Sequence, residues 1–219
     1  RRIVYPLKTL TDASLKLSNR DYDVDIVHSD TYEIKLLSTA FENMALQLKE
    51  HEKLQHLLAY RDSLTGLRNT NSYWAWITDF DKEIETKEIV FGVLVFDINY
   101  LKETNDRYGH DVGNKLIVSA ARLISDIFKR SPVFRIGGDE FAIWFPDLTE
   151  ENVHYIVDRI NTINKDLVLP SREMPPCSLS AGISFFTQGE TYKSLYKKAD
   201  IALYKVKENG RCGCKIFEQ

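Results

Sequence analysis

From residue 133 to residue 145 the chain reads Val-Phe-Arg-Ile-Gly-Gly-Asp-Glu-Phe-Ala-Ile-Trp-Phe, two apolar runs rich in strand formers parted by two glycines. That pattern predicts a hairpin with a two-residue loop at Gly137-Gly138, because both turn positions need positive φ and glycine adopts it without a steric penalty. In that register Ile136 pairs with Asp139, Arg135 with Glu140 and Phe134 with Phe141. Alternation then places Asp139 on the face of Phe141, Ile143 and Phe145, and Glu140 on the other. Upstream, residues 89–96 are apolar apart from Gly92 and predict a strand covered on both faces, ending in Asp97. Helical spacing predicts a helix through Tyr73, Trp74, Ile77 and Phe80 that ends in the charges of residues 81–87. A polar stretch, Asn99–Gly113, leads into a second helix through Leu116, Ile117, Ala120, Leu123, Ile124 and Ile127. Further helices are expected at about Glu150–Leu167 and Tyr192–Glu208, with strands within Ser178–Phe186 and at Lys215–Phe217. The resulting order is βαββαβ, with one helix in front and a helix and short strand behind. It predicts an α/β (α+β) layer fold: a palm-like sheet with its helices on one side.

Residues 1–60 follow a different pattern. Leu7, Leu10, Ser14 and Leu17 repeat at 3/4 spacing and predict an amphipathic helix. Ser18-Asn19-Arg20-Asp21 breaks it, and Tyr22, Val24 and Ile26 alternate with aspartates as an extended connector. A second seam runs through Ile34, Leu37, Phe41, Met44 and Leu48, then continues with His51, Gln55 and Leu58. Two such helices cannot bury their stripes alone. A homodimer would bury them; packing onto the following domain is the alternative. The breakers in Arg61–Asn69 mark the boundary, giving a helical segment over 1–50, a coiled-coil stalk over 51–60 and a second domain over 61–219.

Composition narrows the partners. The 219 residues carry a net charge of −3, so no basic excess points to nucleic acid. Three cysteines, with Cys212 and Cys214 lacking a second pair, indicate neither a disulfide framework nor a zinc site, and a reducing compartment fits them. No apolar run is long enough to span a membrane. The chain opens on Arg1-Arg2 without methionine, and it is expected to be a piece of a longer protein whose basic residues flank a membrane helix.

The acidic residues carry the chemistry. With the hairpin forming the second and third strands, Asp139 falls beside Asp97 at the end of the first. Neighbouring carboxylates repel unless protonated or bridged by cations. An oxygen-only set without histidine suits hard ions such as Mg²⁺, and such pairs serve phosphoryl and nucleotidyl transfer. The bland reading makes Asp97 a helix cap or turn residue and Glu140 the cross-strand partner of Arg135.

Gly137-Gly138-Asp139-Glu140-Phe141 resembles the motif that names the GGDEF domains, the diguanylate cyclases that condense two GTP molecules into cyclic di-GMP. The likeness extends to Asp62-Ser63-Leu64-Thr65-Gly66-Leu67-Arg68-Asn69, to Phe96-Asp97-Ile98-Asn99 with Lys102, Asn105-Asp106 and Gly109-His110, to Ser178–Ile183, and to Ala199-Asp200, Ala202-Leu203-Tyr204 and Lys207–Arg211. It implies that Asp97, the carbonyl of Ile98 and Asp139 hold Mg²⁺ (or Mn²⁺), with Asp139 accepting the proton of the attacking 3′-hydroxyl and Glu140 supporting the catalytic site. Lys102, Lys207 and Arg211 would meet the triphosphate, and Asn105 and Asn114 the guanine edge. His110 is read as a capping or turn residue. Two GTP-loaded domains must meet, hence a homodimer. Residues 1–50 resemble a HAMP signal relay through Pro6-Leu7, Leu17-Ser18, Glu33-Ile34 and Ala40–Met44, although the connector lacks the usual glycine. That likeness implies the cytoplasmic part of a membrane-anchored inner-membrane sensor.

Three departures from the family pattern qualify the expectation. Asn114 stands where a guanine-binding Asp is usual, and an amide cannot accept from both guanine N–H groups as a carboxylate can. Asn99 replaces a common Asp. Phe128-Lys129-Arg130-Ser131 occupies the place of the product-inhibition motif R-x-x-D, so no inhibition through that site is expected.

Overall fold

The computed structural model describes residues 3–24, 26, 31–84, 90–168 and 177–218, and it divides the chain into two compact units, Arg1–Ala59 and Tyr60–Gln219. Arg1-Arg2, the expected strand start at Ile89 and the charges at 85–87 lie outside the described residues. In the first unit α1 spans Val4–Ser18, and α2 begins at Tyr32 and continues to Tyr60. Leu10, Ala13 and Ile26 form its small core, with Val24 and Phe41 packed against them. The α1 stripe is therefore rotated from the expected seam. Pro6, Leu10 and Ala13 are buried, whereas Leu7 is exposed. On α2 the buried residues are Ile34, Ser38 and Ala45, while Leu37, Met44 and Leu48 stay exposed.

The second unit contains α3 (Thr70–Ile84), β1 (Phe91–Ile98), α4 (Leu101–Tyr108), α5 (His110–Ile127), β2 (Val133–Arg135), β3 (Glu140–Pro146), α6 (Val153–Val168), β4 (Leu179–Phe185), α7 (Tyr192–Glu208) and β5 (Gly213–Ile216). The sheet order is β2-β3-β1-β4-β5. Central β1 runs antiparallel to both β3 and β4, and β5 pairs parallel with β4. The βαββαβ order stands, but the helices cover both faces rather than one. Leu94, Phe96 and Ile98 enter a core with Leu116, Ile124, Ile156 and Ile160 of α5 and α6. Val93 and Val95 enter a second core with Tyr73 and Ile77 of α3 and Tyr192 and Leu203 of α7. Every position of β1 is buried, as an uninterrupted apolar strand requires.

The hairpin differs from expectation by one residue. Arg135 lies opposite Phe141 and Phe134 opposite Ala142, and the amides of Ile136 and Gly137 both donate to the Glu140 carbonyl, at 3.0 and 3.4 Å. The loop is thus Gly137-Gly138-Asp139, and neither glycine has positive φ. Asp139 falls within the loop, where strand alternation no longer fixes its face. Its carbonyl accepts from the Ile98 amide at 3.0 Å, which ties the loop to the end of β1. The polar stretch 99–113 also hides a helix. In α4 only Leu101 and Thr104 are buried, too few to leave an apolar stripe in the sequence.

Candidate active site

Asp97 on β1 lies directly opposite Glu140 on β3. Facing residues on paired strands project to one side of the sheet, here the side of Val93 and Val95, covered by α3 and α7. The last turn of α7 brings Lys207, whose Nζ donates to Asp97 Oδ2 at 2.6 Å. Asp97 is only 5% exposed. Burial pushes its carboxyl up from the ordinary range; Lys207 opposes that shift, and the charge of Asp139 adds to it. Glu140 is raised for the same reason, burial first and then Asp139 and Asp97. Three carboxylates therefore share one electrostatic site, as the sequence led us to expect of Asp97 and Asp139. Arg211 follows α7 with φ 63°, and its guanidinium lies 4.8 Å from the centroid of the Tyr100 ring. Tyr100 itself has φ 60°. Lys207 and Arg211 are thus held on two different partners beside one acidic cluster.

The remaining expected residues sit across the α4–α5 corner. Asn105 packs so closely on α5 that a Cβ on Gly113 would lie 1.8 Å from its Oδ1. Asn114, the next residue, is exposed. The turn at Gly109, with φ 86°, places the two asparagines on adjoining helices, and His110 opens α5 as a turn residue would. Lys102 is exposed on the first turn of α4, and among the described residues no ion pair links it to the acidic cluster. Among them, too, no group of three or more His, Cys, Asp or Glu side chains is arranged to hold a metal ion. The donor set is narrower: the buried Asp97 carboxyl at the end of β1 and Asp139 in the adjoining loop, with backbone oxygens beside them. That set fits Mg²⁺, which is commonly held by one or two carboxylates and substrate phosphates.

Two features were not foreseen. Arg135 does not meet Glu140. Its Nη1 donates to both oxygens of Asp62, at 2.9 and 3.0 Å, and its Nη2 to the Gly138 carbonyl at 2.8 Å. Asp62 also accepts from the amide and hydroxyl of Thr65, at 2.8 and 2.6 Å. Burial alone would raise the Asp62 carboxyl, but Thr65 and Arg135 together hold it below its ordinary value. The turn at residues 62–65 is thereby clamped to the hairpin that carries Asp139. Asn99, 1% exposed, donates to Ser178 Oγ at 2.8 Å and accepts from Ser180 Oγ at 2.9 Å. Its amide joins β1 to β4, a role for which an ionised Asp has no donor. Opposite-charge or polar pairs separated by more than seventy residues leave no local signal. Phe128 is 2% exposed and packs on Phe96 and Phe145, so a core aromatic fills the first position of the expected inhibition motif.

Comparison with known proteins agrees with this architecture. Residues 59–212 match the family described as "Diguanylate cyclase, GGDEF domain", and residues 1–50 match the HAMP domain. The probable diguanylate cyclase DgcC of Escherichia coli K12 is 30% identical over 169 residues, 76% of this chain and 46% of that protein. The response regulator PleD of Caulobacter vibrioides is 31% identical over 159 residues, 70% of this chain and 35% of that protein. The chain thus spans less than half the length of these curated relatives. The crystal structure of the coiled coil and GGDEF domain of DgcB from Caulobacter crescentus, in complex with c-di-GMP, superposes with a TM-score of 0.74 at 25% identity, covering 84% of this chain and 98% of that one. With the motif at the β2–β3 turn, the acidic cluster beneath it and a family match over most of its length, this chain belongs to the GGDEF family of diguanylate cyclases and carries a HAMP domain at its N-terminus.

Proposed function

We propose that the chain is a diguanylate cyclase module, condensing two GTP into cyclic di-GMP and two pyrophosphates. The observation that carries this reading is the pairing of Asp97 with Glu140 across β1 and β3, with Asp139 in the adjoining loop and Lys207 and Arg211 arriving from the end of α7. Asp97, the Ile98 carbonyl and Asp139 would hold Mg²⁺ (or Mn²⁺), which when bound neutralises charge on the phosphates and holds attacking and leaving oxygens in line. Lys102, Lys207 and Arg211 bind the triphosphate, and Asn105 and Asn114 the guanine edge. Asp139 takes the proton from the 3′-hydroxyl of one GTP as that oxygen attacks the α-phosphate of the other. Pyrophosphate leaves, and Glu140 supports the charge balance from the neighbouring strand. The 3′-hydroxyl comes from a second domain, so the reaction needs a homodimer. Leu37, Met44 and Leu48, exposed at 7- and 4-residue spacing on α2, offer it a surface. In this reading residues 1–50 relay a signal, 51–60 form a coiled-coil stalk and 61–219 catalyse, within a membrane-anchored sensor whose catalytic part is cytoplasmic. No described helix of the chain is itself long and apolar enough to cross a membrane.

Incubation of the protein with Mg²⁺ and GTP, ATP or both, followed by product identification, tests the proposal. Cyclic di-GMP from GTP, abolished by Asp139→Ala in a variant that still folds, is expected. Absence of any product would refute it. Asn114 favours a second reading, relaxed base selectivity, since an amide presents one acceptor oxygen to a guanine edge that offers two donors. A dinucleotide containing adenine in the mixed incubation would establish that reading.

A further inference from the structure

Tyr100 joins two loops of the site without belonging to its acidic or its basic set. It stands between the end of β1 and the start of α4, and its carbonyl accepts from the Thr104 amide at 2.9 Å. Its φ of 60° lies in the left-handed region, where a bulky side chain is an outlier and glycine or asparagine would cost less. The loop after α7 is built in the same way. Gly210, Arg211, Cys212 and Gly213 carry φ of 95°, 63°, 58° and 144° in succession, and the Arg211 amide donates back to the Val206 carbonyl at 3.0 Å. Backbone in so sparsely populated a region is kept there by its surroundings, and it gathers at ligand sites. A cation–π contact links the two loops: the Arg211 guanidinium lies over the Tyr100 ring, 4.8 Å from its centroid. Among the described residues no ion pair engages Arg211. Burial acts first on the Asp97 carboxyl, yet the Arg211 charge is near enough to favour its ionised form.

We propose that Tyr100 is the positioning residue for Arg211, its ring face supporting the guanidinium and leaving the N–H edge free to bind the triphosphate. The proposal rests on the reading in which Arg211 meets that triphosphate. An aromatic face engages the π surface of a guanidinium and none of its N–H donors. A carboxylate would occupy those donors in pairs and compete with phosphate for them. Holding the side chain in place beforehand also lowers the ordering cost of binding, which is high for an arginine. Tyr100 is 52% exposed. Apolar burial therefore does not account for its costly backbone conformation, whereas support of Arg211 does.

The test measures equilibrium binding of GTP carrying a fluorescent N-methylanthraniloyl group to the whole 219-residue chain with Mg²⁺, beside the KM for GTP. Tyr100→Asn removes the ring and suits a left-handed backbone; Tyr100→Phe keeps the ring. Tyr100→Asn should weaken the labelled nucleotide about two- to five-fold and raise the KM to match, in line with a cation–π contact at an exposed site. Tyr100→Phe should retain most of the parent's affinity. In an Arg211→Ala background Tyr100→Asn should have no further effect, a coupling that a merely structural role for the ring would not produce. If Arg211→Ala binds too weakly to titrate, the contrast between Tyr100→Phe and Tyr100→Asn decides alone. A parent that binds the nucleotide but forms no cyclic di-GMP refutes the cyclase reading and leaves this comparison standing. Unchanged affinity in Tyr100→Asn, equal weakening by Tyr100→Phe and Tyr100→Asn, equal weakening by Tyr100→Asn with and without Arg211, or no binding by the parent would each overturn the proposal.

Discussion

The Arg135 clamp can be removed with one substitution, and its worth follows from the geometry. Arg135→Ala deletes two charge-assisted hydrogen bonds to Asp62 and one to the Gly138 carbonyl. The two side chains are 12% and 20% exposed, so solvent screens the pair poorly. Asp62 keeps its two bonds from Thr65 and is not left bare. Breaking a buried pair of this kind costs about 3–5 kcal/mol, and the Thr65 contacts reduce that to about 3 kcal/mol. Arg135→Lys should recover less than half, because one ammonium cannot span Asp62 and Gly138 together. Urea denaturation followed by tryptophan fluorescence reports the right unit, since Trp74, Trp76 and Trp144 all lie within Tyr60–Gln219. The pH dependence supplies a second reading. Asp62 is held below its ordinary value of 3.8, so its contribution is fully present above that pH and disappears as pH falls through the lower, folded-state value. Asp62→Asn should therefore be less stable than the parent at neutral pH and lose less on acidification. A loss under about 1 kcal/mol for Arg135→Ala, or identical acid limbs for Asp62→Asn and the parent, would show that the clamp is geometry without energetic weight.

Other expectations follow from single contacts. Lys207→Met leaves the Asp97 carboxylate buried without its 2.6 Å partner; it should lose about 2–3 kcal/mol in denaturation and, under the proposed cyclase activity, raise the KM for GTP. Asn99→Asp removes the donor to Ser178 and adds a charge at a position 1% exposed, so a loss of about 2 kcal/mol should appear in the same denaturation assay. Gly182→Ala would put a Cβ 1.9 Å from the Ala199 carbonyl and 2.5 Å from the Leu203 amide; since both are α7 backbone, it should cost about 3 kcal/mol or more, read as a lowered urea midpoint. Cyclic di-GMP should not inhibit through residues 128–131, where Phe128 is core. Strong inhibition that vanishes in Arg130→Ala would reverse that conclusion, with Arg61, Arg68, Lys129 and Arg130 lining the cleft responsible.

What the sequence reveals here depends on how local the determining interaction is. The apolar run of β1, the breaker pair of the hairpin and the helical stripes of α5 and α7 are short-range patterns, and the structure contains all of them. Even within the hairpin, the local rule favoured a two-residue loop. The three-residue loop is held by the local bond of Arg135 to the Gly138 carbonyl and by two contacts far along the chain, the Asp139 carbonyl on Ile98 and Arg135 on Asp62. Helix α4 escaped because a short, mostly exposed helix needs no apolar stripe. The sidedness of the sheet was readable in principle, since a strand apolar on both faces must be covered on both. The Asn99 amide could not be read at all, because its partners Ser178 and Ser180 become neighbours only once β4 docks beside β1.

Lys207 gives the site its logic. An ammonium on the last turn of α7 is favoured there by the carbonyl end of the helix, and it neutralises Asp97 in a pocket where two further carboxylates raise the cost of charge. A nucleotide triphosphate offers the same ammonium a second anionic partner within reach of its flexible stem. Arg211 has no such exchange to make: held over Tyr100 rather than on a carboxylate, it is free to meet phosphate without exposing a buried charge. Moving Lys207 onto phosphate does expose one, at Asp97. In the cyclase reading, substrate engagement by Lys207 and neutralisation of Asp97 by another cation are therefore a single coupled event.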